Sequence, residues 1–252
     1  MTQISEESDV KVRDKLIVAL DRPDSKSALA AVDRIGDSVL WYKVGLQLFL
    51  AEGRDSVRAL ADRGKRIFLD LKLHDIPATV EKAIRSLEGL PVSFLTVHAS
   101  GGPEMLKAAA QAAHALSSAP RVLGVTMLTS LDGSEIPPYF NPKTDTEEKV
   151  LALADLCAEA GVDGVIASPR EIHTLRLDHS EPFLIVTPGI RGPEEASHDQ
   201  KRTLSLAEAI VRGADHVVVG RPLLEAADAS AVIAAYESSL ATALQAKGAH
   251  LP

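Results

Sequence analysis

Between Phe68 and Val80 the chain reads FLDLKLHDIPATV, which brings Asp70, Lys72 and Asp75 together within six positions. An apolar run leads straight into them. Strands ordinarily end in turn residues, not in alternating opposite charges. Asp70 and Lys72 are two residues apart, so an extended strand places them on one face. An ammonium set between carboxylates keeps its proton, because nearby opposite charge favours the ionised form. A solvated strand terminus is the simpler account of an isolated charge such as Asp21 or Lys43. It accounts less well for three charges delivered by one apolar strand.

The elements that must position these residues follow one rhythm. Short apolar runs occur at 15–21, 39–45, 66–72, 93–99, 121–128, 164–168, 183–189 and 216–220. Most are near-continuous, as expected of parallel strands covered on both faces. Helix-like segments lie between them. SKSALAAVDRIG starts at an Asp/Ser cap, LQLFLAEGRDSVRALADRG runs to Gly64, and TEEKVLALADLCAEAG stops at Gly161. Glycine just past the last turn is a common helix stop. Eight strand–helix pairs in 252 residues predict an α/β fold, a single-domain (β/α)8 TIM barrel over 13–252. Residues 1–12 are expected to form a flexible tail. An open doubly wound sheet normally carries a glycine-rich turn after its first strand, and ALDRPDS has no glycine there.

In such a barrel the active site lies at the C-terminal ends of the strands. Those ends supply Asp21, Lys43, the Asp70–Lys72–Asp75 group, His98, Thr129 with Ser130, Ser168, Pro188, and Gly220 with Arg221. Arg221 suits a phosphate: its guanidinium can bind oxygens in pairs, and Gly220 lets backbone amides approach. VTPGIRGPEEASHDQKR, 186–202, is longer and more polar than a simple connection and suits a mobile loop. His74 alternates away from the Asp70–Lys72 face. His98 is expected to pack or hydrogen-bond at the mouth, and Cys157 to be a buried core residue.

Composition narrows the partners. The formal net charge of −8 argues against a nucleic-acid surface. No segment is apolar enough for a membrane span or a signal peptide. One cysteine cannot form an internal disulfide, which fits a reducing, cytoplasmic setting. The eight histidines show no metal-ligand spacing.

With ALD in the first run, YKVG in the second, DLKLHDIPATV, the VTPGIR loop, the pair Asp199–Gln200 and a late VGRP, the chain resembles the orotidine 5′-monophosphate decarboxylases of bacterial type over nearly its whole length. The resemblance implies conversion of orotidine monophosphate to uridine monophosphate and CO2, the last step of UMP biosynthesis, with no metal or organic cofactor. It implies catalysis by Lys43, Asp70, Lys72 and Asp75, with Lys72 as proton donor to C6. It also implies a homodimer in which Asp75 and Thr79 serve the neighbouring subunit's site. Asp21 and Lys43 would hold the ribose, Thr129 or Ser130 the pyrimidine, and Pro188 would shape the loop near the ring. Arg191, Gln200, Gly220 and Arg221 would reach the phosphate and base. The nearest alternatives share the barrel and the D-x-K-x-x-D strand: metal-dependent sugar-phosphate decarboxylases and hexulose-phosphate synthases. A Schiff-base aldolase needs an unprotonated lysine, which flanking carboxylates oppose. A phosphate-ligand sensor without turnover is the non-enzymatic alternative.

Overall fold

Each of the eight apolar runs forms a strand in the computed structural model, which describes residues 10–128, 145–190 and 204–248. The first half runs α1 (Val12–Lys15), β1 (Leu16–Ala19), α2 (Ser25–Ile35), β2 (Trp41–Gly45), α3 (Leu46–Glu52), α4 (Arg54–Ala61), β3 (Arg66–Leu73), α5 (Pro77–Arg85) and β4 (Val92–His98). The second half continues with α6 (Pro103–His114), β5 (Arg121–Val125), α7 (Thr146–Glu159), β6 (Gly164–Ile166), α8 (Ile172–Asp178) and β7 (Leu184–Thr187). It ends with α9 (Leu206–Val211), β8 (His216–Val219), α10 (Arg221–Leu224) and α11 (Ala229–Gly248). The strands pair in parallel in sequence order, and β8 closes on β1 through Ile17 beside Val218. This is the (β/α)8 barrel the sequence predicts, and closure removes the open-sheet alternative.

Side-chain alternation divides the core in two. Ile17, Ala19, Trp41, Phe68, Phe94, Leu123, Leu184, Val186 and Val218 form a small cluster inside the barrel. Their strand neighbours, such as Leu16, Val18, Tyr42, Ile67, Leu69 and Leu95, belong to the larger core under the helices. The inner floor is aromatic: Trp41 stacks on Phe94 at 4.4 Å between ring centroids, and His216 lies 5.0 Å from Trp41. Burial, with Lys15, Arg66 and Arg121 nearby, lowers the His216 pKa to about 3, so that ring is neutral. A packed aromatic floor with a neutral His216 leaves the other end of the barrel for the charged cluster.

The helices start and stop largely where their sequence signals lie. Asp24 caps α2 by accepting the Ser27 amide at 2.7 Å. Gly161, at φ 78°, ends the α7 segment. The expected single helix ending at Gly64 is instead two, α3 and α4, because Gly53 takes φ 59° and turns the chain between them. Cys157 is buried as expected, and burial pushes its thiol up to about 12. It fills the space beside Gly124, where an added Cβ would lie 2.3 Å from Sγ. Of the expected tail, residues 1–9 lie outside the described residues, and Val12 is buried. Among the described residues no helix is long and apolar enough to cross a membrane.

Candidate active site

The inward positions that build the aromatic floor lead, two residues at a time, to the charged mouth. On β1, Ile17 and Ala19 point the way to Asp21, and on β2 Trp41 is followed by Lys43. On β3, Phe68 is followed by Asp70 and Lys72; on β4, Phe94 by Thr96 and His98. Val186 on β7 is followed by Pro188 and Val218 on β8 by Gly220, each just past the end of its strand.

Asp70 is the hub. It is 7% exposed, and both of its oxygens lie 2.8 Å from Lys72 Nζ. Lys43 Nζ approaches Oδ2 at 3.2 Å, and Thr96 Oγ1 donates to Oδ1 at 2.9 Å. Burial works to raise the Asp70 pKa, but the charges of Lys43 and Lys72 and the hydrogen bonds from Lys72 and Thr96 outweigh it. The carboxyl is thus held below the usual range and is ionised at neutral pH. Lys43 also lies 3.5 Å from Asp21, whose side chain is 66% exposed. Gly45 pairs with Asp70 in the sheet, and a Cβ there would come 3.2 Å from Lys43 Nζ. Glycine leaves that ammonium its room.

Lys72 is held in an uncommon backbone conformation. Its φ is 50°, in the left-handed region, where the register between β3 and β4 shifts between Leu69 and Leu73. A non-glycine residue there costs on the order of 1–3 kcal/mol and persists only when its surroundings impose it. The Lys72 amide donates to Thr96 Oγ1 at 2.9 Å, which is part of that imposition. The uniform i, i+2 alternation expected for 70 and 72 is therefore interrupted, yet both side chains still meet.

Asp75 does not join this group within one chain. Its carboxylate accepts the Ile76 amide at 2.7 Å, and residues 74–79, Thr79 among them, are exposed. His74 is exposed as well, its ring 5.3 Å from that of His98. Partial burial, then His74 and Lys72, lower the His98 pKa.

At the β8 end, a Cβ on Gly220 would lie 3.8 Å from Ala19 Cβ and 4.0 Å from Asp21 Oδ2, which puts Gly220 beside the charged cluster. Arg221 opens α10 and is exposed. Two other arginines hold the far end of that helix. Arg34 donates to the carbonyls of Leu223, Leu224 and Ala226, and Arg22 donates to that of Leu224 at 3.0 Å. Cations suit a helix C-terminus, whose last carbonyls lack partners. Sequence reading missed both of them, and Thr96. Ser168 is turned to Glu171, to which its hydroxyl donates. Pro188 leads into Gly189 at φ 75°. Thr129, Ser130, Arg191, Asp199 and Gln200 lie outside the described residues.

A closed parallel barrel with alternating lysines and carboxylates at the C-terminal mouth defines the class, a (β/α)8 barrel with an ionic site where barrel enzymes hold their chemistry. The chain belongs to the orotidine 5′-phosphate decarboxylase / HUMPS family, whose model matches residues 14–236. Orotidine 5′-phosphate decarboxylase of Moorella thermoacetica is 46% identical over 221 residues, 86% of this chain and 88% of the relative. That of Rhodopseudomonas palustris (strain ATCC BAA-98 / CGA009) is 45% identical over 235 residues, 93% of this chain and 97% of the relative. The crystal structure of orotidine 5′-phosphate decarboxylase from Lactobacillus acidophilus superposes with a TM-score of 0.79 at 36% identity, covering 90% of this chain and 99% of that one.

Proposed function

We propose that the protein decarboxylates orotidine 5′-monophosphate to uridine 5′-monophosphate and CO2, without a metal or organic cofactor. The observation that carries this reading is the Lys43–Asp70–Lys72 array, centred on buried Asp70 at the C-terminal mouth, in a chain whose relatives carry that activity in their names. The C6–carboxylate bond breaks, CO2 departs, and the electron pair stays on C6. Lys72 Nζ lies against that carbon, stabilises the carbanion and transfers a proton to it. The resulting neutral amine takes a proton back from solvent.

In this reading Asp70 lies against the departing carboxylate. Like charges ~4 Å apart repel by about 4 kcal/mol at an effective dielectric of 20. Enzymes lower barriers by roughly 8–23 kcal/mol, so repulsion alone is too small. Fixed positive charge at C6 supplies more, and binding energy from the remote phosphate helps to assemble the site. In this reading Asp21 and Lys43 hold the ribose, Thr129 or Ser130 meets the pyrimidine, and Pro188 borders the ring. Arg191 and Gln200 close over the ligand, while Gly220 and Arg221 bind the phosphate.

The working unit is a homodimer. Asp75 and Thr79 lie on an exposed ridge, and among the described residues Lys72 has one carboxylate partner, Asp70. Apolar side chains at unusual exposure include Ile76 of the ridge at 67%, and Leu50 at 80% and Leu46 at 48% on α3. Leu46 and Leu50 share a face of α3, and α3 and Ile76 follow the neighbouring strands β2 and β3 at one end of the barrel. Exposed apolar patches of this kind mark association surfaces. A second subunit would cover them and bring its Asp75 to Lys72. The buried, unpaired Cys157 suits the reducing cytoplasm.

Metal-dependent sugar-phosphate decarboxylation, the alternative on this barrel, needs carboxylates available to a divalent cation. Here the oxygens of Asp70 are occupied by Lys72, Lys43 and Thr96. Product analysis by NMR separates the two. Orotidine monophosphate should yield uridine monophosphate, while hexulose phosphates with Mg²⁺ should return unchanged; the reverse pattern would move the protein to the other branch.

Arg221→Ala tests the phosphate assignment. Loss of a paired, charge-assisted contact should raise KM for orotidine monophosphate roughly 10²–10³-fold. Turnover of the unphosphorylated nucleoside should be unaffected. An unchanged KM for the nucleotide would remove Arg221 from the phosphate site.

A further inference from the structure

Thr96 lies on β4 between Phe94 and His98, and it is fully buried. Its hydroxyl is engaged in both directions. Oγ1 accepts the Lys72 amide at 2.9 Å and donates to Asp70 Oδ1 at 2.9 Å. One oxygen therefore ties the backbone of one charged residue to the carboxylate of the other, across the place where the β3–β4 register slips. A hydroxyl supplies one donor and two acceptor sites, so no other group of that size makes both bonds. Valine has nearly the same shape and can make neither.

We propose that Thr96 is a positioning residue for the decarboxylation: it fixes Lys72 in its left-handed conformation and Asp70 in its rotamer, and so sets the Lys72 ammonium against C6. This rests on the orotidylate reading above. Lys72 at φ 50° has no intrinsic preference for that backbone, and its side chain reaches both oxygens of Asp70 from there. Asp70 is approached by Lys43 from β2 and Lys72 from its own strand, with Asp21 of the β1 end beyond Lys43 and His98 on β4. Both lysines are long and flexible. The Thr96 contact is short, buried and attached directly to a strand, so among Asp70's partners it has the least freedom to move. Without it, the Lys72 amide loses this partner, the backbone can relax toward an ordinary strand, and the ammonium is displaced from the reacting carbon. Small displacements of a catalytic group cost large factors in rate.

The test compares the full-length protein with Thr96→Val and Thr96→Ser, measuring kcat and KM for orotidine monophosphate and Kd for uridine monophosphate. The product has no carboxylate at C6, so its affinity reports the phosphate and ribose contacts and the fold. In Thr96→Val, kcat should fall about 10–100-fold, the loss of hydrogen bonds to a charged site, while Kd for uridine monophosphate stays within about threefold. Thr96→Ser keeps the hydroxyl and should recover most of kcat. The inference is overturned if Thr96→Val turns over within about twofold of the parent, if serine fails to restore kcat, or if Kd weakens in step with kcat. A parent protein without turnover on orotidine monophosphate, yet folded and dimeric, overturns the orotidylate reading itself and this inference with it.

Discussion

Lys72→Ala is expected to abolish turnover while leaving a folded barrel. General acid catalysis contributes typically 10²–10⁴-fold, and a preorganised charge at a developing anion another 10²–10³-fold, so the loss of kcat should be at least about 10⁴-fold. The fold should survive because the Lys72 side chain is partly exposed, while Asp70 keeps Lys43 at 3.2 Å and Thr96 at 2.9 Å. Binding of uridine monophosphate should persist, since its ribose and phosphate are held elsewhere. Circular dichroism, product affinity and turnover on one preparation check all three points. Normal turnover in a well-folded Lys72→Ala protein would end the mechanism.

The second large effect tests the proposed dimer. Lys72→Ala and Asp75→Asn should each be nearly inactive alone. Co-expressed, they should regain activity, because a mixed dimer joins the intact Lys72 of one chain to the intact Asp75 of the other. In a two-fold assembly half of the dimers are mixed and each has one complete site, so recovery should approach about one quarter of the parent activity. Asp75 is the right residue for this test. It is exposed and bonded only locally to the Ile76 amide among the described residues, on the same ridge as the exposed Ile76. No recovery from a co-purified mixed dimer would place Asp75 outside the partner's site.

Why so much could be read from the chain is a matter of geometry. A closed parallel barrel buries both faces of every strand, so its strands appear as plain apolar runs. Its interior alternates strictly, so the floor residues Ile17, Trp41, Phe68 and Phe94 predict the mouth residues Asp21, Lys43, Asp70 and His98 by counting in twos. The failures lie where that counting stops applying. Past Lys72 the strand has slipped register and then ended, so spacing cannot say that Asp75 turns away from its own lysine. Gly53 sits in a stretch of good helix formers, and only its positive φ reveals that one helix is two. Thr96 looks like an ordinary β-branched strand residue. Its signal was a polar side chain at an inward position, in phase with Phe94, and that needed the barrel's direction to be read. Arg22 and Arg34 bond to backbone carbonyls nearly 200 residues away, at separations of 202 and 189 to 192, which no local pattern encodes.

In the proposed mechanism Lys43, Asp70 and Lys72 act without a metal or organic cofactor, and the most direct test is the absorbance of orotidine monophosphate over time with the purified protein in excess EDTA. Complete conversion to uridine monophosphate, with one CO2 released per nucleotide and no slowing on chelation, is the predicted result. No conversion by a folded, dimeric protein, or conversion lost on chelation and restored by Mg²⁺, would contradict it.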